Sequence, residues 1–414
     1  MQSSCYAHIR KLALAGAGVL LLSGSLALAQ QDPPTPPKID NPPPADGPLE
    51  GRPETPGAQA LAPATPPPLP TASADLPLDK IKVPEGFKVE VFATGIPEAR
   101  TLRIGEGGTV FVGNWQQNKV WAIAKDGEPK VLYEGLDWPN GLALVGGDLY
   151  IAEHQRISKA ADIEANLDNP PALQPIYTDL GEPRPHGWRY LASGPDGKLY
   201  VSNSSPCNIC AVPPGFGEVR KMDTDGSNVE VVLRGMRNTV GFDFSPVNGE
   251  LYFTDNQRDW LSEDLPHDEL NRVTEPGKQH FGFPFCHNGT FADPEFGWGY
   301  KCSDFTDPIA LLGPHTAPLG MKFYTGEMFP EAYRNAIFIA RHGPWNRTTK
   351  IGADIVVAHL DESGNVESIE PFLTGLIENN EYVGRPVDVA VMADGSLLVS
   401  DDWNGAVYRV SYGL

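Results

Sequence analysis

The sequence predicts an all-β fold, a six-bladed β-propeller, and three observations carry that reading. The first is a phrase that recurs six times: a short apolar strand, a turn, then a second strand reading roughly Gly-x-Leu-Tyr-Val-x-Asn/Asp. Its copies begin at Leu102, Leu142, Leu191, Phe242, Met321 and Val389, and their second strands end on Asn114, Glu153, Asn203, Asp255, Arg341 and Asp401. The second is the spacing. The first four copies start about 40 to 50 residues apart and the last two gaps are longer, as inserted loops would make them; this is the period of propeller blades. The third is a mismatch at the ends. Val89-Glu90-Val91-Phe92-Ala93-Thr94-Gly95 has no blade of its own, while Pro386 to Tyr412 supplies three strands and lacks a fourth.

The elements follow in order. After most pairs a third and a fourth strand can be read, the fourth ending on glycine in Val229 to Gly235 and in Ile369 to Gly375. Asp196-Gly197 and Asp394-Gly395 suit tight hairpins between inner strands. The N-terminal strand is expected to complete the C-terminal blade, so that the ring closes without a long exposed sheet edge. Two packed sheets built from generic alternating strands are the alternative architecture.

Residues 1–29 read as a secretory signal peptide: Arg10 and Lys11, an apolar stretch from Leu12 to Leu28, then Ala27-Leu28-Ala29 before Gln30. No second apolar run of about 18 residues follows, so no membrane span is expected and the chain should be periplasmic or secreted. Residues 30–79 read as a disordered tether, because 16 of the 41 prolines lie between Asp32 and Leu78 with almost no aromatic or branched apolar residues. Such a stretch buries too little surface to offset its ordering entropy. Residues 80–414 form one domain, since the repeat spans all of it and each blade buries its faces only against its neighbours. The net charge of −21 argues against a nucleic-acid partner, which requires a basic surface. Beyond the leader four cysteines remain; an even set in an exported chain suggests two disulfides, and the local pairs Cys207 with Cys210 and Cys286 with Cys302 are expected among the three pairings. A structural zinc on all four is the alternative.

In a propeller the loop leading into the innermost strand and the loop leaving the second strand reach one face near the axis. At the former stand Asn140, His186, Arg189, Arg237, Asn238, His315 and Arg385; at the latter stand Asn114, Trp115, Glu153, His154, Asn203, Asp255, Asn256, Arg258, Arg341, His342, Trp345, Asp401, Asp402 and Trp403. Cations, imidazoles and indoles thus crowd one mouth, although solvated loops are commonly rich in Asn and Asp. Arg237, Arg341 and Arg385 come from three blades of an acidic protein, and converging guanidiniums repel unless an anion lies between them, so a polycarboxylate or phosphate ligand is expected. Asp255, Asn256 and Gln257, with Asp268 and Glu269 close behind, offer hard oxygens suited to Ca²⁺.

His186-Gly187-Trp188-Arg189-Tyr190-Leu191, Gly235-Met236-Arg237-Asn238, Pro266-His267-Asp268-Glu269-Leu270-Asn271, Phe281-Gly282-Phe283-Pro284, Pro318-Leu319-Gly320-Met321 and Gly384-Arg385-Pro386-Val387-Asp388-Val389 together resemble the soluble quinoprotein sugar dehydrogenases, the glucose/sorbosone dehydrogenase family. The resemblance covers nearly all of residues 80–414. It departs from the glucose-oxidising members at Arg341-His342-Gly343-Pro344-Trp345-Asn346-Arg347, where those carry a cofactor lysine; this version looks more like the sorbosone and pyranose dehydrogenase branch, and Lys350 is only a remote substitute. The resemblance implies pyrroloquinoline quinone (PQQ), a tricarboxylate, held with Ca²⁺ and contacted by Asn140, Arg189, Arg237, Asn238, Arg341, Trp345 and Arg385. It implies His186 as the base that takes the proton of a sugar hydroxyl, Arg237 as support for developing negative charge, His342 as a second base candidate, and metal contacts from Asp255, Asn256, Gln257, Asp268 and Glu269. It also implies a small sugar as substrate and an external electron acceptor such as a cytochrome or quinone. Two other readings stand beside it: a metal-dependent sugar lactonase using Glu153, Asn203 and Asp255, and a non-catalytic propeller that presents its face to another envelope protein.

Overall fold

The computed structural model describes residues 52–124, 128–182 and 185–413. The predicted leader, residues 1–29, lies outside the described residues. Six four-stranded antiparallel sheets follow one another. Blade 1 comprises Leu102–Ile104, Val110–Val112, Lys119–Ile123 and Pro129–Glu134; blade 2, Gly141–Val145, Asp148–Ala152, Ile157–Ala160 and Gln174–Tyr177. Blade 3 comprises Leu191–Ser193, Leu199–Asn203, Glu218–Met222 and Glu230–Arg234; blade 4, Phe242–Phe244, Leu251–Asp255, His267–Val273 and Ala310–Pro314. Blade 5 comprises Pro318–Phe323, Ile337–Arg341, Asp354–Leu360 and Val366–Leu373; blade 6, Pro386–Val391, Leu397–Asp401, Ala406–Tyr412 and the N-terminal strand Phe87–Thr94. That last strand pairs antiparallel with Ala406–Tyr412, from Phe87 against Tyr412 to Thr94 against Ala406. The ring is therefore closed as the strand count required.

Alternation in the strands delivers the core. Leu142, Leu149, Ile151, Phe111 and Val120 are fully buried where blades 1 and 2 face each other, and Met321, Phe323, Ile337 and Tyr252 do the same between blades 4 and 5. Carboxylates latch neighbouring inner strands: Asp243 of blade 4 accepts from the Phe323 amide of blade 5 at 2.9 Å, and Asp388 of blade 6 accepts from the Leu102 amide of blade 1 at 2.9 Å. The second latch spans the closure. Near the axis the blades approach so closely that a Cβ on Gly241 would lie 1.9 Å from the Leu319 carbonyl oxygen, a position only glycine can fill.

Blade 4 carries an insertion between its third and fourth strands, with a short hairpin, Cys286–His287 against Phe291–Ala292, closed by the disulfide Cys286–Cys302. The other disulfide is Cys207–Cys210. Both expected pairings are the ones formed, and the zinc alternative is excluded by them. Among the described residues no helix is long and apolar enough to cross a membrane.

The tether differs from expectation. Its residues 30–51 lie outside the described part, but from Ala64 onward the chain is laid against blades 5 and 6. The Ala64 carbonyl accepts from Arg385 Nη1 at 2.9 Å; the Thr71 amide and hydroxyl donate to the Asn404 carbonyl and Oδ1 at 2.9 and 2.8 Å. Leu76 is buried with Leu376 and Tyr382, and Lys82 pairs with Thr374. Average composition misled here: proline-rich backbone loses little further entropy on docking, its carbonyls are free to accept, and Leu76, with Pro66 and Pro77 also buried, supplies the apolar anchor. Leu76→Ala should therefore lower the unfolding free energy by about 2 kcal/mol in a denaturant titration, the usual cost of truncating a buried leucine. An unchanged midpoint would restore the free-tether reading.

Candidate active site

His186 sits at the turn into blade 3 with φ of +52°, a left-handed conformation rare outside glycine. Its Nδ1 lies 2.8 Å from the Ser205 carbonyl oxygen. A carbonyl only accepts, so Nδ1 carries the proton and Nε2 keeps a lone pair. Burial, reinforced by the nearby Arg237 guanidinium, pushes the imidazole down to about 3, so it is neutral at pH 7. Ser205 also ties this turn to blade 4, its amide donating to the Arg237 carbonyl at 2.7 Å.

Arg237 is buried and fully engaged. Nε donates to the Asn208 carbonyl, Nη1 to the Asn256 carbonyl, and Nη2 to Asn208 Oδ1 and to Asp259 Oδ2 at 2.7 Å. Asn208 lies inside the Cys207–Cys210 bridge, so that disulfide fixes a turn that holds the arginine. Asp259 continues through Asn346 Nδ2 at 2.8 Å toward His315. Asn208 and Asn346 escaped the sequence reading, since nothing local to them signals a partner in another blade.

The other two arginines correct the expected convergence. Arg341 is bidentate to Asp354 of its own blade, at 2.7 and 2.6 Å, and also donates to the Leu312 carbonyl. Arg385 spends its donors on the carbonyls of His342, Gly343 and Ala64 and stacks on Tyr382. The three guanidiniums are stabilised by acceptors within the chain, so their mutual repulsion does not by itself demand an anion. Among the described residues two buried guanidiniums nevertheless lack a carboxylate partner: Arg385, and Arg189, whose Nε and Nη2 donate to the His154 and Leu180 carbonyls while Nη1 is buried and unpaired. Burial, with Arg220 nearby, lowers Arg189 to about 9.

A fourth arginine, Arg100, was missed. It donates to Asp402 Oδ2 and Asn140 Oδ1, both at 2.8 Å, and Asn140 Nδ2 donates to the Arg189 carbonyl, so Asn140 ties together three blades. Asp402 also holds His342, whose Nε2 lies 2.8 Å from Oδ1. Burial, and then Arg385, takes His342 down to about 4. Trp345 packs edge-on against Trp260 with ring centroids 5.1 Å apart. Lys350 is taken up by the Asn380 carbonyl and Glu381.

The acidic metal set is corrected as well. Asp255 accepts from the amides of Arg237 and Asn238 and from Gln257 Nε2; Asp268 accepts from the amides of Gln257 and Ala317; Glu269 accepts from the Asn288 amide and side chain. These carboxylates brace loops. Burial raises Asp255 and Asp268 to about 7 and Glu269 to about 8. Among the described residues no group of three or more His, Cys, Asp or Glu side chains is arranged to hold a metal. Of the lactonase set, Glu153 accepts from Arg156 and the Asp137 amide and Asp255 is occupied as above, whereas Asn203 donates through Nδ2 to the Gly215 carbonyl and keeps its Oδ1 buried and unpaired. What remains open to a cation are amide oxygens. Asn238 Oδ1 and Asn256 Oδ1 are buried without a partner on adjoining loops, joined by the Asn256 amide donating to the Asn238 carbonyl at 3.0 Å. Two surface grooves lie away from this mouth, one near Lys130 and Asp168, the other near Tyr252 and His359.

Residues 218–409 match the family described as glucose/sorbosone dehydrogenase. An uncharacterized protein of Borreliella burgdorferi is 32% identical over 363 residues, covering 83% of this chain and 93% of that one. The chain belongs to the glucose/sorbosone dehydrogenase family. A pyrroloquinoline quinone-dependent pyranose dehydrogenase of Coprinopsis cinerea is 34% identical over 122 residues, covering 25% of this chain and 16% of that one. The PQQ domain of the Coprinopsis cinerea pyranose dehydrogenase, solved in its holo form, shares the fold: TM-score 0.68 at 20% identity, covering 80% of this chain and 97% of that one. Family membership makes the protein an oxidoreductase of the sugar dehydrogenase type, with the six-bladed propeller expected from its repeats.

Proposed function

We propose that the protein oxidises a sugar of the aldose or sorbosone type at its anomeric or aldehyde carbon, using PQQ and Ca²⁺, outside the cytoplasm. The observation that carries the reading is His186: neutral, anchored through Nδ1 so that Nε2 carries the lone pair, and close enough to Arg237 to feel its charge. The residues fit the cofactor pair. Arg189 and Arg385 are buried positive charges without carboxylate partners among the described residues, and Arg237 lies near His186, so an anionic group at the mouth is favoured. Asn238 and Asn256 offer unpaired amide oxygens suited to a hard cation. When bound, the quinone accepts hydride and the cation polarises the accepting carbonyl.

The chain's own residues do the rest. His186 Nε2 takes the hydroxyl proton of the substrate as hydride leaves the same carbon. The Ser205 carbonyl keeps the imidazole in the productive tautomer. Arg237, held rigidly by Asn208, Asn256 and Asp259, presents fixed positive charge where negative charge develops, with no reorganisation during the reaction. The electrons leave to an external acceptor such as a cytochrome or quinone. The test is to add PQQ and Ca²⁺ to the purified protein and follow dye reduction with a panel of aldoses.

A further inference from the structure

The loop that leaves blade 3, residues 204–210, reaches both residues to which the chemistry is assigned. The Ser205 carbonyl anchors His186, and the Ser205 amide donates to the Arg237 carbonyl. Ser204 Oγ accepts from the Thr239 amide at 3.2 Å. Further along, Asn208 meets the Arg237 guanidinium with two oxygens: its carbonyl accepts from Nε at 2.9 Å and its Oδ1 from Nη2 at 2.8 Å. The same Oδ1 accepts from the Asp259 amide at 2.8 Å, and Asn208 Nδ2 donates to the Asp259 carbonyl at 3.3 Å. Asn208 is buried, and from blade 3 it brackets the loop leading into blade 4 to the loop leaving it.

One residue can offer both its own carbonyl and its side-chain oxygen to a guanidinium fork only if its backbone and χ1 are fixed. An asparagine in an unconstrained loop has competing bonds to its own backbone. The Cys207–Cys210 bond supplies the constraint by closing a ring around Asn208 and Ile209. A ring this short restricts the unfolded chain little, so its effect is mainly local. Its two ends differ: Cys207 is buried, with Sγ 3.2 Å from Ser205 Oγ, whereas Cys210 is partly exposed. We propose that Asn208 is the positioning residue for Arg237, that the Cys207–Cys210 bond holds it in place, and that thiol–disulfide exchange at Cys210 therefore sets the activity of the site. The proposal rests on the dehydrogenase reading and deepens it with a means of regulation. A dithiol supplies the two electrons. One thiolate attacks Cys210 Sγ, the S–S bond breaks, and Cys207 leaves and takes up a proton; the second thiol then displaces Cys210, leaving two cysteine thiols and the oxidised dithiol.

The test uses the full-length protein, and its first measurement needs no cofactor. Solvent exchange of the Arg237 Nε–H, followed by NMR, should be slow in the wild type and faster in Asn208→Ala and in the double variant Cys207→Ser/Cys210→Ser, while backbone amides of blades 1, 5 and 6 keep their protection. With PQQ and Ca²⁺ added, both variants should need roughly tenfold more quinone for half-saturation and turn over roughly tenfold more slowly, the scale of one lost hydrogen bond to a charged group. Wild type reduced with dithiothreitol and then freed of it under argon should match the double variant and recover on reoxidation. The double variant should not respond to dithiothreitol, which separates this bridge from Cys286–Cys302. Unchanged Arg237 exchange and unchanged half-saturation in both variants would overturn the proposal, as would a double variant that still responds to the dithiol. Equal acceleration of exchange throughout the propeller would also overturn it, since the loop would then only support the fold. The expected exchange pattern in a protein that binds no PQQ and oxidises no sugar would leave the positioning of Arg237 supported and sink the dehydrogenase reading instead.

Discussion

His186→Ala is expected to lower turnover by roughly 10² to 10⁴, the usual contribution of a positioned base, while leaving the PQQ titration close to wild type. The split follows from the geometry. The ring is anchored through Nδ1 by the Ser205 carbonyl, which leaves the lone pair on Nε2, so its removal deletes a proton acceptor and leaves the charged groups of blades 4 to 6 in place. The pH profile gives a second reading of the same residue. A histidine acting as base must be neutral, and with burial and Arg237 holding it down to about 3, kcat/KM should show no acid limb near the ordinary value of 6.5. Activity should persist below pH 5 and fall only as the pH approaches that depressed value. A limb centred near 6.5 would mean that another group takes the proton.

Arg237→Ala should cost both stability and function. Breaking a buried ion pair from one side leaves Asp259 uncompensated, which typically destabilises by about 3 kcal/mol or more. It also releases Asn208 and the Asn256 carbonyl, so quinone affinity and turnover should fall together. Arg237→Lys is the informative partner: it keeps the charge but cannot reach four acceptors at once, so it should recover part of the affinity and little of the turnover. Denaturant titration and quinone titration of both variants check this. A protein of wild-type stability with wild-type quinone affinity would remove Arg237 from the site.

The propeller was legible because its signals are local. Alternation along each strand, Asp-Gly turns and a terminal strand without a blade are all visible in a short window, and together they predict the closure of Phe87–Thr94 on Ala406–Tyr412. The mouth was legible for a similar reason, since loop position alone nominated His186, Arg237, Asn140 and His342. Partners were not. Arg341 looked like a ligand for an anion until Asp354, on the next strand, was seen to hold it; Asp255, Asp268 and Glu269 looked like metal ligands because the backbone amides that occupy them leave no mark in a sequence. Arg100 and Asn208 act across blades, where sequence separation hides contact. The tether misled for the opposite reason: a composition average over residues 30–79 outweighed the few buried apolar residues, Pro66, Leu76 and Pro77, and the few hydrogen bonds that dock its end.

Binding of an anionic quinone with a cation at this mouth, and oxidation of sugars there, can be tested directly. The most direct measurement is absorption spectroscopy of the purified protein titrated with PQQ, with and without Ca²⁺, followed by addition of an aldose and a dye acceptor. A saturable shift of the quinone spectrum that depends on Ca²⁺ is expected, followed by bleaching of the dye when sugar is added. No shift with Ca²⁺ present, together with opening of sugar lactones by the same preparation, would contradict it.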